Sequence, residues 1–205
     1  MTEQLDLTEK TIRTCRSLQI DETVRKFREQ LDRVRSSPTE AIKPLAPLLD
    51  AMEQKYAIFG DDPIMNSWKV VRWCLDHGLI QSAMTMLGEN AVTAICRVFA
   101  LDPRQEEVRN DVHSTIHILL ENIPKDRWRV HSVERVEQMV NALAPYRNDL
   151  KPFGMVKERR NDINHAGARP QPLKAQKFWP DAERAFKELS TFFEKMSMLA
   201  KSMQR

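Results

Sequence analysis

The stretch "RNDINHAG", residues 160 to 167, sets an arginine and a histidine five positions apart, with two asparagines and an aspartate between them. Both residue types suit chemistry on a phosphate. An imidazole with its ordinary pKa of about 6.5 gives and takes a proton near neutrality. A guanidinium stays charged and grips an anionic oxygen through two donors. On a helix, five residues turn through about 500°, so Arg160 and His165 point about 140° apart and would flank one groove from two sides rather than meet as neighbours. Asn161, four residues before His165, shares its face, where its amide could hold the imidazole in one tautomer or touch a phosphate oxygen. The same composition also suits a polar helix end facing water.

The elements that would carry this stretch are helical. The chain has only five glycines and no convincing period-2 alternation flanked by turn residues, so an all-α fold without a substantial sheet is expected. The helix bearing "RNDINH" is expected to begin after Gly154 and to stop at Gly167 and Pro170. Upstream, Asp21 could cap a helix whose stripe is Val24, Phe27, Leu31 and Val34. Three prolines in "SSPTEAIKPLAPLL" must turn or break the chain, each costing a helix interior about 3 kcal/mol. That segment and the turn at "GDDP" suggest an N-terminal helical part over 1–60 and a main helical domain over 61–205. Helices are expected over Met65 to Asp76 and Leu79 to Phe99, hinged at Gly78. Another should start at "LDPRQEE" and end before Pro124. Ser132 should cap one reaching toward Pro145, and Pro180 fits the first turn of the last helix.

Composition narrows the function classes. Of the 205 residues 30% are charged and 41% hydrophobic, and no apolar run approaches the roughly 18 residues that span a bilayer. The N-terminus lacks the basic-then-apolar order of a signal peptide, so a cytoplasmic protein with no membrane partner is expected. Three cysteines without a CxxC pair suggest buried thiols rather than a disulfide framework or zinc site. His113 and His117 have the spacing of two zinc ligands. Ser114, however, stands where the metalloprotease motif needs Glu, and no third ligand is evident, so neither metal nor cofactor is expected. The four tryptophans lie in apolar patterns that favour core packing over base stacking. Net charge is only +3, but residues 147 to 177 hold eight Lys or Arg against three acids, so the basic character gathers around the opening motif.

An arginine, a polar residue directly after it, and a histidine four to six positions beyond the arginine resemble the signature of HEPN-domain ribonucleases. "WCLDHGLIQSAMTMLGEN", residues 73 to 90, is similar to the helix pair preceding that motif in CRISPR-associated proteins of type III systems. There a HEPN ribonuclease follows a CARF sensor domain that binds cyclic oligoadenylates. The resemblance covers roughly Met65 to the C-terminus. It departs from the family pattern in one respect, since nothing here reads as the Rossmann-like α/β unit of a CARF domain. The chain would then be either the effector half of a longer protein, with a CARF domain outside this chain as partner, or a stand-alone HEPN protein.

The resemblance implies a HEPN-like bundle with additional N-terminal helices and a metal-independent endoribonuclease in CRISPR-associated antiviral defence. Its substrate would be single-stranded RNA, cleaved by 2′-OH transesterification to 2′,3′-cyclic phosphate ends. Arg160, His165 and Asn161 would form the catalytic set, with Arg159, Asn164, Lys157 and Arg169 contacting RNA. RNA carries its own nucleophile, so cleavage needs a base, an acid and positive charge on the phosphorane. One chain offers a single histidine, and two HEPN protomers meeting across a two-fold axis would supply the second proton-transfer group, so a homodimer is expected. The alternative is a non-catalytic helical interaction or assembly module that binds through the Met-rich last helix, which carries Met196, Met198 and Met203.

Overall fold

Helix α5, Ile80–Val98, is the axis of the molecule, because its sequence carries only two charged residues, Glu89 and Arg97, and 14 of its 19 residues are buried. Such a helix must be wrapped on several sides. The computed structural model describes residues 2–36 and 43–203. Among them lie nine α-helices and no strand, so the fold is all-α.

α4 (Pro63–Asp76) and α5 form an antiparallel hairpin. Gly78, with φ of +74°, takes the left-handed turn between them, and Leu79 N–H closes back on the Cys74 carbonyl at 2.8 Å. The last helix, α9 (Ala175–Met203), packs along both. Trp68 of α4 stacks on Phe186 of α9 with ring centroids 4.4 Å apart, and Arg72 grips Glu183 at 2.7 and 3.0 Å. α8 (Pro152–Asn164) lies against α5 and α9. α6 (Glu106–Glu121) and α7 (Val133–Leu143) pack on each other, joined by the fully buried Asp111. That carboxylate accepts from the N–H groups of His131 and Ser132 and from the Arg135 guanidinium at 2.6 Å, so its charge is fully paired.

The N-terminal helices α1 (Thr2–Arg13), α2 (Ile20–Arg35) and α3 (Ala46–Tyr56) share the same hydrophobic core. Phe27 meets Tyr56 at 4.7 Å between ring centroids, and Asn66 of α4 donates to Asp21 of α2 at 2.8 Å.

The structure shifts several local expectations. Asp21 lies inside the first turn of α2 and caps nothing, because its carboxylate turns outward to Asn66 and Arg97. α8 starts at Pro152, two residues before Gly154, since a proline is tolerated where the N–H is unpaired anyway. Pro180 sits within α9 rather than in its first turn, because the helix begins at Ala175. Of the three prolines expected to break the chain, Pro38 lies outside the described residues, Pro44 is in a short 3-10 turn, and Pro47 opens α3. Ser132 caps α7 as expected, accepting from Arg135 N–H at 3.2 Å.

Candidate active site

α8 owes its orientation to a stripe three and four residues apart. Phe153 and Val156 are buried against the bundle, and Arg160 continues the same stripe. Its guanidinium is thereby carried inward onto Glu89, the isolated carboxylate of α5, rather than left in water. Arg160 keeps 22% of its side-chain surface, which corrects the picture of an exposed arginine at a polar helix end. Gly88, one residue before Glu89, faces this approach at ordinary packing distance: a β-carbon there would lie 3.7 Å from Val156 Cγ1 and 3.9 Å from Arg160 Nη1 and would fit.

Glu89 also receives the guanidinium of Arg109 from α6, so one carboxylate is shared by two arginines and the trio keeps a net charge of +1. Arg160 spends Nη1 on Glu89, its Nε is buried without a partner, and Nη2 makes no hydrogen bond among the described residues. His113 of α6 lies beside this group, 6.0 Å from the Phe153 ring between centroids. Burial pushes its pKa down, Glu89 opposes that shift, and Arg109, Arg160 and Lys157 add to it. His113 is thereby biased toward its neutral form beside the charged trio. His117, one turn on, is exposed, so the two histidines occupy different surroundings.

His165 is the residue at which α8 ends. Its side chain is exposed, and its N–H donates to the Asn161 carbonyl at 3.0 Å, so those two residues are linked through the backbone. Ala166 and Gly167 then take left-handed conformations, with φ of +50° and +73°, and swing the chain away. The buried carboxylate of Asp162 holds that segment by accepting from Leu173 N–H at 2.7 Å. Lys157, Asn161, Asn164 and His165 follow one another at helical spacing along a single flank of α8, with Asn161 half-buried and the others exposed. Arg159 departs from that flank and ties α8 to α9 by donating to Asp181 at 2.7 Å. Arg169 is exposed and reaches the Glu158 carbonyl at 3.3 Å.

The local positive charge is smaller than a count of residues suggests. Of the arginines between 147 and 177, Arg159 is paired with Asp181 and Arg160 with Glu89, whereas Arg147 donates to the neutral Leu120 carbonyl and keeps its charge uncompensated among the described residues. Lys151, Lys157, Lys174 and Lys177 remain exposed.

The sequence reading passed over Glu89 and Arg109 as site residues. A signal for Glu89 existed: a lone carboxylate in the most apolar helix of the chain needs a cation beside it. No family model, curated protein or solved structure matches this chain. The tryptophans mostly pack as expected. Trp73 is buried, Trp68 and Trp128 are half-buried with their indole N–H groups bonded to carbonyls, and Trp179 stands 40% exposed.

Proposed function

We propose that the chain is a metal-independent endoribonuclease of the HEPN type, cleaving single-stranded RNA as a homodimer. The observation that carries this reading is the division of labour along α8. Arg160 is anchored by Glu89 with Nη2 still unspent, and His165 stands exposed one and a half turns later, at the helix end. An anchored guanidinium suits a phosphate whose charge grows in the transition state, since the donor need not reorganise during the reaction. An exposed imidazole suits proton transfer.

In the reaction, the 2′-OH loses its proton to a base and O2′ attacks the adjacent phosphorus. The bond to O5′ breaks, an acid protonates O5′, and the upstream product keeps a 2′,3′-cyclic phosphate. Two proton-transfer groups serve this sequence, and the His165 of each protomer provides one when two copies of α8 face a common groove. Asn161 and Asn164 offer amides for phosphate or sugar oxygens, and Lys157 and Arg169 supply screening charge. CRISPR-associated antiviral defence is the biological setting that goes with this reading. A CARF sensor domain outside this chain would be the corresponding regulatory partner.

The test is direct. Purified protein with end-labelled single-stranded RNA in millimolar EDTA is expected to cleave it and to leave cyclic phosphate ends. Activity that vanishes in chelator and returns with magnesium or manganese would place the chemistry at a different site.

A further inference from the structure

A cleft of about 310 Å³ opens beside Glu89, between the α1–α2 turn, α5 and the segment leading into α6. Its chemistry is lopsided. Arg16 and Arg104 line it, both exposed. Arg16 has no carboxylate partner among the described residues, and Arg104 approaches only Asp102, at 4.0 Å. Arg109 forms part of its wall, held by Glu89, by the Thr93 hydroxyl at 3.4 Å and by the Pro103 carbonyl at 3.3 Å. Two residues of its wall hold a buried, unpartnered polar atom, Ser17 Oγ and Asn90 Oδ1, and Asn90 is completely enclosed, so its oxygen lies behind the wall rather than in the opening. Its amide nitrogen is already given to the Ser67 carbonyl at 2.5 Å, so the carbonyl oxygen is the end left over. A buried acceptor and a buried hydroxyl without partners are both unfavourable, which marks this wall as polar beneath its surface. The turn forming one wall is itself strained, since Cys15 holds a φ of +57° without being glycine.

Glu89 belongs to this cleft through one carboxylate oxygen and to Arg160 through the other. A strand whose phosphate rests on Arg160 therefore reaches the cleft across the width of one side chain. We propose that the cleft is a nucleotide subsite on the RNA path, with the exposed Arg16 and Arg104 on a backbone phosphate. This inference rests on the ribonuclease reading for the position of the reacting phosphate. It gives the α1–α2 turn a part in substrate recognition. It also adds contacts to the strand on the far side of Glu89 from Arg160.

The experiment compares wild type with the double variant Arg16→Ala/Arg104→Ala on three probes: a dinucleotide, a ten-nucleotide RNA, and the same decamer made with 2′-O-methyl groups, which cannot be cleaved. The variant is expected to match wild type on the dinucleotide and to lose at least about tenfold in kcat/KM on the decamer, the effect of two lost charge-assisted contacts. Its binding to the 2′-O-methyl decamer should also show a shallower salt dependence, by about 1.4 in the log–log slope for two phosphate contacts on a single strand. Unchanged decamer cleavage and binding would overturn the subsite while leaving the ribonuclease intact. Equal losses on dinucleotide and decamer would overturn it too, by placing the arginines at the reacting phosphate. Arginine-dependent binding of the methylated decamer by a wild type that cleaves no RNA would support the subsite and refute the ribonuclease.

Discussion

His165 and Arg160 are expected to fail in different ways when truncated. His165→Ala removes an exposed ring, so cleavage should fall by at least ~10²-fold with the melting temperature unchanged. Arg160→Ala should cost a similar factor and also about 1–2 kcal/mol of stability, because Glu89 loses one of its two guanidiniums in a partly shielded site. Arg160→Lys tests the geometry: a point charge should recover part of the stability but little of the rate. Thermal unfolding beside initial rates separates these outcomes, and equal melting temperatures for wild type and Arg160→Ala would count against an anchored arginine. At this scale the sequence exposed the residues whose types are rare together in a short window, Arg160 and His165. It hid their support, because the partner of Arg160 lies 71 residues earlier and nothing local links the two.

Helices were readable wherever the apolar spacing was strong, as with Val24, Phe27 and Leu31 on α2, and wherever a terminus had a chemical mark, as with Gly78 and Ser132. Their ends were misread where tertiary contacts outbid local signals: Asp21 left its own helix for Asn66 and Arg97. The end of α8 depends on Gly167, whose φ of +73° a side chain tolerates poorly. Gly167→Ala should therefore destabilise by about 1 kcal/mol and lower cleavage by shifting the turn behind His165, measurable by denaturant unfolding and by rate. A second element-level prediction concerns Asp62, which caps α4 and holds the far end of α9 through Ser197 and Lys201. Burial alone would push its carboxyl up, but the bonds from Lys201, Ser197 and Met65 N–H outweigh that and hold its pKa at about 2, against 3.8 unperturbed. The depressed value means that this stabilisation is complete above about pH 3.8 and is lost as pH falls through about 2. Asp62→Asn should be less stable near neutrality, with the difference from wild type shrinking across that acid window. A constant difference down to the lowest pH would show that Asp62 carries no such linkage.

For the molecule as a whole, the proposed shared groove would make activity a property of pairs. Mixing wild type with excess His165→Ala and letting subunits exchange should lower activity with the square of the wild-type fraction, whereas independent sites would give a straight line. On that proposal dilution below the dimer dissociation constant should also abolish cleavage, because a monomer would hold half a site. A linear fall together with an active monomer would show that one chain suffices. The uneven shelter of the four indoles carries a consequence of a different kind. Trp68, Trp73 and Trp128 are packed or bonded within the bundle, whereas Trp179 meets solvent near the start of α9, shortly after the segment that leaves His165. A collisional quencher such as acrylamide should therefore act on one emitter above all. If the proposed RNA path crosses the start of α9, the non-cleavable decamer should reduce quenching in wild type, and Trp179→Phe should silence the response; quenching unchanged by the decamer would put the start of α9 off that path.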